Sequence, residues 1–189
     1  MKVVVGISGA SGAIYGIRLL EALKQVEIES HLVLSDTARI TIEYETNYKV
    51  EDVIGMATMV YENRNLAAAI SSGSFKVDGM IVAPCSIKTL SGIANSYNND
   101  LLTRAADVTL KERRKLVLMV RETPLHLGHL NHMTAVTQMG GIILPPVPSF
   151  YHLPITLDDI VNHTVQKALD QLGIEANLFN RWDGIEQRI

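Results

Sequence analysis

The chain has a single cysteine, Cys85, so no internal disulfide can form and a reducing compartment is expected. It also lacks positive excess: the formal net charge is −3, against the strong surplus that proteins of nucleic-acid backbones carry. No apolar run approaches the roughly 20 residues of a membrane-spanning helix. The N-terminal Met1–Gly6 is apolar but no cleavage-like site follows, which points to a cytoplasmic protein with no nucleic-acid or membrane partner. Repeats, low-complexity tracts and linker-like shifts of composition are missing too. Aromatics make up only 5%, and with a mean hydropathy of +0.16 this is compatible with buried subunit surface.

What is present suits one domain spanning residues 1–189, within the usual range of roughly 100–200 residues. Short apolar runs alternate with helical periodicity, the pattern of a doubly wound, Rossmann-like or flavodoxin-like α/β/α fold on a parallel sheet. Strands are expected at Lys2–Ile7, His31–Leu34, Met80–Ala83, Leu116–Val120 and Ile142–Leu144, with a weaker signal at Thr58–Tyr61. Helices are expected at Ala13–Lys24, Ala38–Glu45, Thr89–Ala94, Leu101–Lys115, Leu127–Met139 and Leu157–Leu172. The proline-rich stretch Pro145–Pro154 is interspersed with apolar residues and reads as an ordered loop.

Ligands of open α/β sheets sit beyond the carboxyl ends of the strands. Here those ends run into Ser8–Gly12, Ser35, Pro84-Cys85-Ser86, Arg121-Glu122 and the Tyr151 loop, and one shared pocket is the economical explanation. Glycines beside Ser11 permit close backbone approach, and a helix starting there offers free N–H groups to an anion. Such loops also begin helices for purely structural reasons. The spacing departs from the dinucleotide order G-x-G-x-x-G, although Asp36 keeps an NAD-binding dehydrogenase open. Gly6–Ala10 misses the last glycine of a serine-hydrolase elbow.

Between Arg104 and Glu122 lie six cations and three anions, which suits either small phosphates or a solvated helix face. Arg104 and Lys111, seven residues apart, share a predicted helix face. Arg121-Glu122 reads as an anion-orienting pair with a proton donor, or as a structural ion pair, and Tyr151 as a ligand hydroxyl or as packing. His126, His129 and His132 raise a metal site, but steps of three residues advance a helix by about 300°, so the outer two drift apart and no metal is expected. The seven methionines read as core filling or subunit contact.

Several segments in order resemble the UbiX-type flavin prenyltransferases, a group of FMN-binding flavoproteins, and most of all the subgroup found beside phenolic acid decarboxylases. They are Gly9–Ala13, Ile70–Phe75, Pro84–Ser86, Arg104–Val108 with Leu110–Arg113, Pro124 after Arg121-Glu122-Thr123, and Phe150-Tyr151. The resemblance implies contacts to FMN from Gly9, Ala10, Ser11, Ser35, Ser86, Ile87, Lys88, Thr89 and Arg121. It implies a dimethylallyl phosphate held by Lys111, Arg121, Glu122, Tyr151 and Lys167, with Arg104 nearby, and Trp182 closing the site from a C-terminal tail of residues 173–189. Ser11 and Glu45 become the groups that move protons at the flavin. Trimers assembled into a dodecamer, flavin at subunit contacts, and a UbiD-type decarboxylase receiving the product are implied as well. Two departures stand out: Lys167 replaces the family's usual arginine and so loses its bidentate fork, and Asn131-His132 replaces Glu-Asn.

In the implied chemistry, N5 of reduced flavin attacks the allylic carbon, phosphate leaves, and closure onto C6 completes a fourth ring. Lys111, Arg121 and Lys167 neutralise the leaving group while Glu122 gives up a proton, a role that burial favours and adjacent cations oppose. Two other readings stay open: an FMN-dependent decarboxylase of a phenolic or cysteine-derived acid, and a non-catalytic FMN carrier.

Overall fold

The apolar runs at Lys2–Ile7, His31–Leu34, Met80–Ala83 and Leu116–Val120 become strands buried on both faces, as a sheet covered by helices on two sides demands, while those near Thr58–Tyr61 and Ile142–Leu144 form half-exposed edge strands. The computed structural model describes residues 1–182 and 184. In chain order the elements are β1 (Lys2–Ile7), α1 (Ala13–Gln25), β2 (Glu29–Leu34), α2 (Asp36–Glu45), α3 (Val50–Ile54), β3 (Met59–Glu62), β4 (Gly79–Cys85), α4 (Ile87–Ala94), α5 (Leu101–Lys111), β5 (Lys115–Val120), α6 (Leu127–Gln138), β6 (Ile142–Ile143) and α7 (Leu157–Gln171). The sheet runs β3-β2-β1-β4-β5-β6 with every pairing parallel, so strand order reverses between β1 and β4.

Alternate residues of each strand enter two cores. Val3, Val5 and Ile7 of β1 pack with Ile17, Leu20 and Leu23 of α1 and Val165 and Leu169 of α7. Val4 faces the other way, with Leu90, Leu102, Ala106 and Leu118. Each fully buried leucine or isoleucine contributes about 1.5–3 kcal/mol, so these two layers fix which strand ends lie side by side. Among the described residues no helix is long and apolar enough to cross a membrane.

The expected elements shift at their ends for identifiable reasons. Helices α2 and α4 start two residues before Ala38 and Thr89, because the Ser35 and Ser86 hydroxyls accept the N–H groups of Ala38 (3.1 Å) and Thr89 (3.3 Å) and so act as N-caps. Helix α5 stops at Lys111 instead of Lys115: Arg113 takes a left-handed φ of 57°, and the Arg114 N–H turns back to the Thr109 carbonyl (3.0 Å). The five residues of α3 and a single 3₁₀ turn at Ala69–Ser71 were not expected, being too short for a periodic signal.

Candidate active site

At the switch point the loops after β1 and β4 are tied together by one buried hydroxyl. Ser8 Oγ donates to the Pro84 carbonyl (2.9 Å) and accepts the Ser86 N–H (2.7 Å). Gly9 is obligatory at this crossing: a Cβ there would lie 2.4 Å from Thr37 Cβ at the start of α2. Gly12, at φ 98°, donates its N–H to Glu45 Oε2 (2.7 Å), which carries the end of α2 over the loop. Helix α1 has no side-chain cap; the Gly12 N–H goes to Glu45 and that of Tyr15 to the Gly12 carbonyl (3.0 Å), so those of Ala13 and Ile14 are the ones left to an anion.

Two clefts flank this loop. One, of about 590 Å³, is lined by Ser11, Tyr15, Glu45, Tyr48 and Arg121, with Pro146 and the start of α7. The other, of about 430 Å³, is lined by Gly9, Ser35, Ser86, Ile87, Lys88, Thr89 and Glu122. Both fall in the usual range for small-molecule sites. The Arg121 N–H bonds to the Cys85 carbonyl (3.0 Å), and its guanidinium opposes the rise that burial imposes on the Tyr15 phenol. Glu122 faces the second cleft, with Oε1 accepting the Thr123 N–H (2.9 Å). The neighbours Arg121 and Glu122 therefore serve different clefts, as successive residues leaving a strand do, and do not pair. Burial pushes the Cys85 thiol up, so it stays protonated beneath the loop.

The other expected ligands form two separate groups. Arg104 donates to the Ser71 carbonyl (3.1 Å) and to Asp107 (3.0 Å), while Lys111 pairs with Glu112. Both cations flank the Ser71–Gly73 turn, since a Cβ on Gly73 would lie 2.7 Å from Lys111 Nζ. Lys111 precedes β5 and Arg121 follows it. A six-residue strand spans roughly 20 Å, so one protomer holds these two cations at opposite ends of the sheet.

Tyr151 lines neither cleft. Its loop leaves β6, passes Pro146 at the first cleft, and folds down onto α7, where the phenol bonds His163 Nε2 (2.6 Å). Trp182 packs edge-on against Tyr151 at 5.8 Å between ring centroids. Arg181 next to it is held by both oxygens of Asp170 (2.7 and 3.0 Å), and the Lys167 ammonium lies 4.0 Å from the same carboxylate. Tyr151, Lys167 and Trp182 are thus near one another but apart from Ser11. Of the expected tail, residues 183 and 185–189 lie outside the described residues.

Of the two connecting residues, Ser8 was expected only as part of the first strand end, and His163 was not expected at all. Ser8 ends a buried strand like any small residue, whereas His163 stands four residues before Lys167 and so on its helix face, a spacing that was legible. Asp36 pairs with exposed Arg64 (3.0 Å) beside the second cleft. His126 caps α6, its Nδ1 accepting the Gly128 N–H (3.0 Å), its ring lies 3.6 Å from that of His129, and His132 reaches toward Asn95 (3.5 Å). Among the described residues no three His, Cys, Asp or Glu side chains are placed to share a metal ion.

A family model described as Flavoprotein matches residues 1–169. The flavin prenyltransferase UbiX of Thauera aromatica is 61% identical over 188 residues, covering 100% of this chain and 97% of its own. The crystal structure of AnUbiX (PadA1) in complex with FMN and dimethylallyl pyrophosphate superposes with a TM-score of 0.97 at 46% identity, over 98% of both chains. A dodecameric FMN-dependent UbiX-like decarboxylase from Escherichia coli O157:H7 gives 0.95 at 51% identity, over 97% of this chain and 100% of its own. With identity sustained over the full length and a fold superposable on these structures, the chain belongs to the UbiX-type flavin prenyltransferase family.

Proposed function

We propose that the protein joins the dimethylallyl group of dimethylallyl phosphate to N5 and C6 of reduced FMN, making the prenylated flavin used by UbiD-type aromatic acid decarboxylases. The observation that carries this reading is the pair of clefts around Gly9–Gly12, where any Cβ on Gly9 would collide and three helix starts meet. Such a cradle fits a flat, phosphate-bearing mononucleotide: N–H groups of α1, α2 and α4 and the hydroxyls of Ser35 and Ser86 suit its phosphate and polyol. Gly9, Ala10, Ser11, Ser35, Ser86, Ile87, Lys88, Thr89 and Arg121 are the residues we assign to FMN.

Reduced FMN supplies a nucleophilic nitrogen. The chain's own groups do the rest: Arg121, Lys111 and Lys167 neutralise the charge that gathers on the departing phosphate, with Arg104 beside them. Glu122, reaching the phosphate from the second cleft as Arg121 does from the first, holds the proton that the phosphate takes, and Ser11 and Glu45 move a proton at the flavin ring. Tyr151 gives the phosphate a hydroxyl, and Trp182 closes over the prenyl chain.

Lys111 and Arg121 reach one phosphate only if they come from different copies. We therefore place the complete site between subunits, in a trimer-based dodecamer of a cytoplasmic enzyme. Supporting this, the loop bearing Tyr151 and the start of α7 expose Phe150, Leu153, Ile155 and Leu157, the last three to 82–93%. Anaerobic incubation with reduced FMN and dimethylallyl phosphate, followed by mass spectrometry of the extracted flavin, tests the reading. FMN heavier by one dimethylallyl unit is expected. Unmodified flavin with direct loss of carbon dioxide from an added phenolic or cysteine-derived acid would transfer the assignment to a decarboxylase, and neither reaction to an FMN carrier.

A further inference from the structure

His163 is 7% exposed, faces the Tyr151 loop from the middle of α7, and takes no part in the chemistry proposed above. Its surroundings are specific. The His152 ring stacks on it with centroids 4.6 Å apart and planes 6° from parallel, and Phe179 packs on it at 4.6 Å. Ser149 Oγ sits beside the ring edge, 3.3 Å from Nδ1 and 3.2 Å from Nε2, and 3.3 Å from His152 Nδ1, whereas the Tyr151 phenol lies 2.6 Å from Nε2 alone. Lys167, one helical turn further on, projects from the same face.

We propose that His163 is a positioning residue that fixes the Tyr151 hydroxyl as a hydrogen-bond donor to the phosphate of the prenyl substrate. The proposal rests on the reading of Tyr151 as a phosphate ligand. The donor order follows from what a phosphate needs. A phosphate oxygen only accepts, so the phenol must present its own proton to it and must accept its other bond. His163 meets that need when Nε2 carries the ring proton and donates to the phenol oxygen. With that tautomer the His163–Tyr151 bond points outward, and the phenol proton is left for the phosphate. The stacked His152 and Phe179 hold the imidazole plane, so the phenol sits in a fixed place on the helix face that also carries Lys167. Burial, then the facing His152 and Lys167, lower the basicity of His163, and Asp170 opposes them, which agrees with a neutral ring.

The test is a double-mutant cycle on the FMN-loaded enzyme, reading dimethylallyl phosphate affinity by isothermal titration beside kcat and KM. His163→Phe keeps a ring to stack but has no donor. It should weaken dimethylallyl phosphate binding about tenfold, as the loss of one well-oriented hydrogen bond to a charged group does, with FMN affinity unchanged. His163→Gln, whose amide N–H can reach the phenol, should recover most of that loss. In a Tyr151→Phe background, His163→Phe should cost nothing further, because the two act through one hydroxyl. Wild-type affinity in His163→Phe, failure of His163→Gln to rescue, or full additivity with Tyr151→Phe would each overturn the proposal. Tyr151→Phe with undiminished affinity would end the phosphate-ligand reading and this proposal with it. An enzyme that makes no prenylated flavin, yet shows the affinity cycle as described, would contradict the reaction and leave the positioning role standing.

Discussion

The Ser11 loop and the Tyr151 loop both leave strands of one sheet, yet different forces hold them. The first is short and fixed from within: Ser8 bridges two strand ends, Gly12 takes a left-handed turn, and the Gly12 N–H meets Glu45. The second, starting from the two-residue β6, is fixed from outside, by His163, Trp182 and the Asp170–Arg181 pair. Backbone geometry shapes the proposed flavin cradle, while side chains on a helix shape the proposed phosphate-gripping surface. Substitutions should therefore act as switches in the first region and as graded adjustments in the second.

Gly9→Val gives the largest expected effect, since its Cβ cannot coexist with Thr37 2.4 Å away. Overpacking of this kind costs about 1–3 kcal/mol, and FMN titration by fluorescence should show binding lost altogether. Retained micromolar binding would mean that the cradle is less rigid than described. Next comes Arg121→Ala, where removal of one preorganised charge donor should cut kcat by about a hundredfold, measured as prenylated FMN formed per minute. A mere carrier would lose flavin affinity with no rate to lose. Tyr151→Phe should raise KM for dimethylallyl phosphate about tenfold and leave FMN affinity alone, so a matching fall in FMN affinity would erase the contrast between the regions. Asp170→Asn, which releases Arg181 beside Trp182, should change KM by less than about threefold, as expected of a partly exposed ion pair.

The smallest effect concerns acid stability. Burial holds His31 and His163 below the ordinary histidine value, so the unfolded chain binds more protons than the folded one just below pH 6.5. Stability from these two neutral rings is intact above that pH and erodes as pH falls through the unfolded value. The melting temperature should drop as the pH is lowered below about 6.5, and His31→Gln should flatten that slope. An unchanged slope would assign the pH response elsewhere.

The layered fold, its parallel strands and the glycine turn between β1 and α1 were readable from sequence, because buried strands, glycine turns and serine caps leave local signatures. Ser35 and Ser86 even mark helix starts more closely than periodicity does. The position of Tyr151 was not readable. A loop following β6 reads as another strand end, and only the contact with His163, twelve residues later, draws it down α7. The division of Arg121 and Glu122 between two clefts was not readable either, since adjacency in sequence says nothing about which cleft each side chain enters.

The central claim is that cations kept at opposite ends of one protomer meet on one phosphate across copies. Co-expression of Lys111→Ala chains with Arg121→Ala chains tests it most directly, with prenylated FMN formation as the readout. Each variant alone should be nearly inactive, and the mixed assembly should regain a readily measured fraction of wild-type rate, because some interfaces then join an intact Lys111 to an intact Arg121. Mixed assemblies as inactive as either parent would contradict the account and require both residues to act within a single chain.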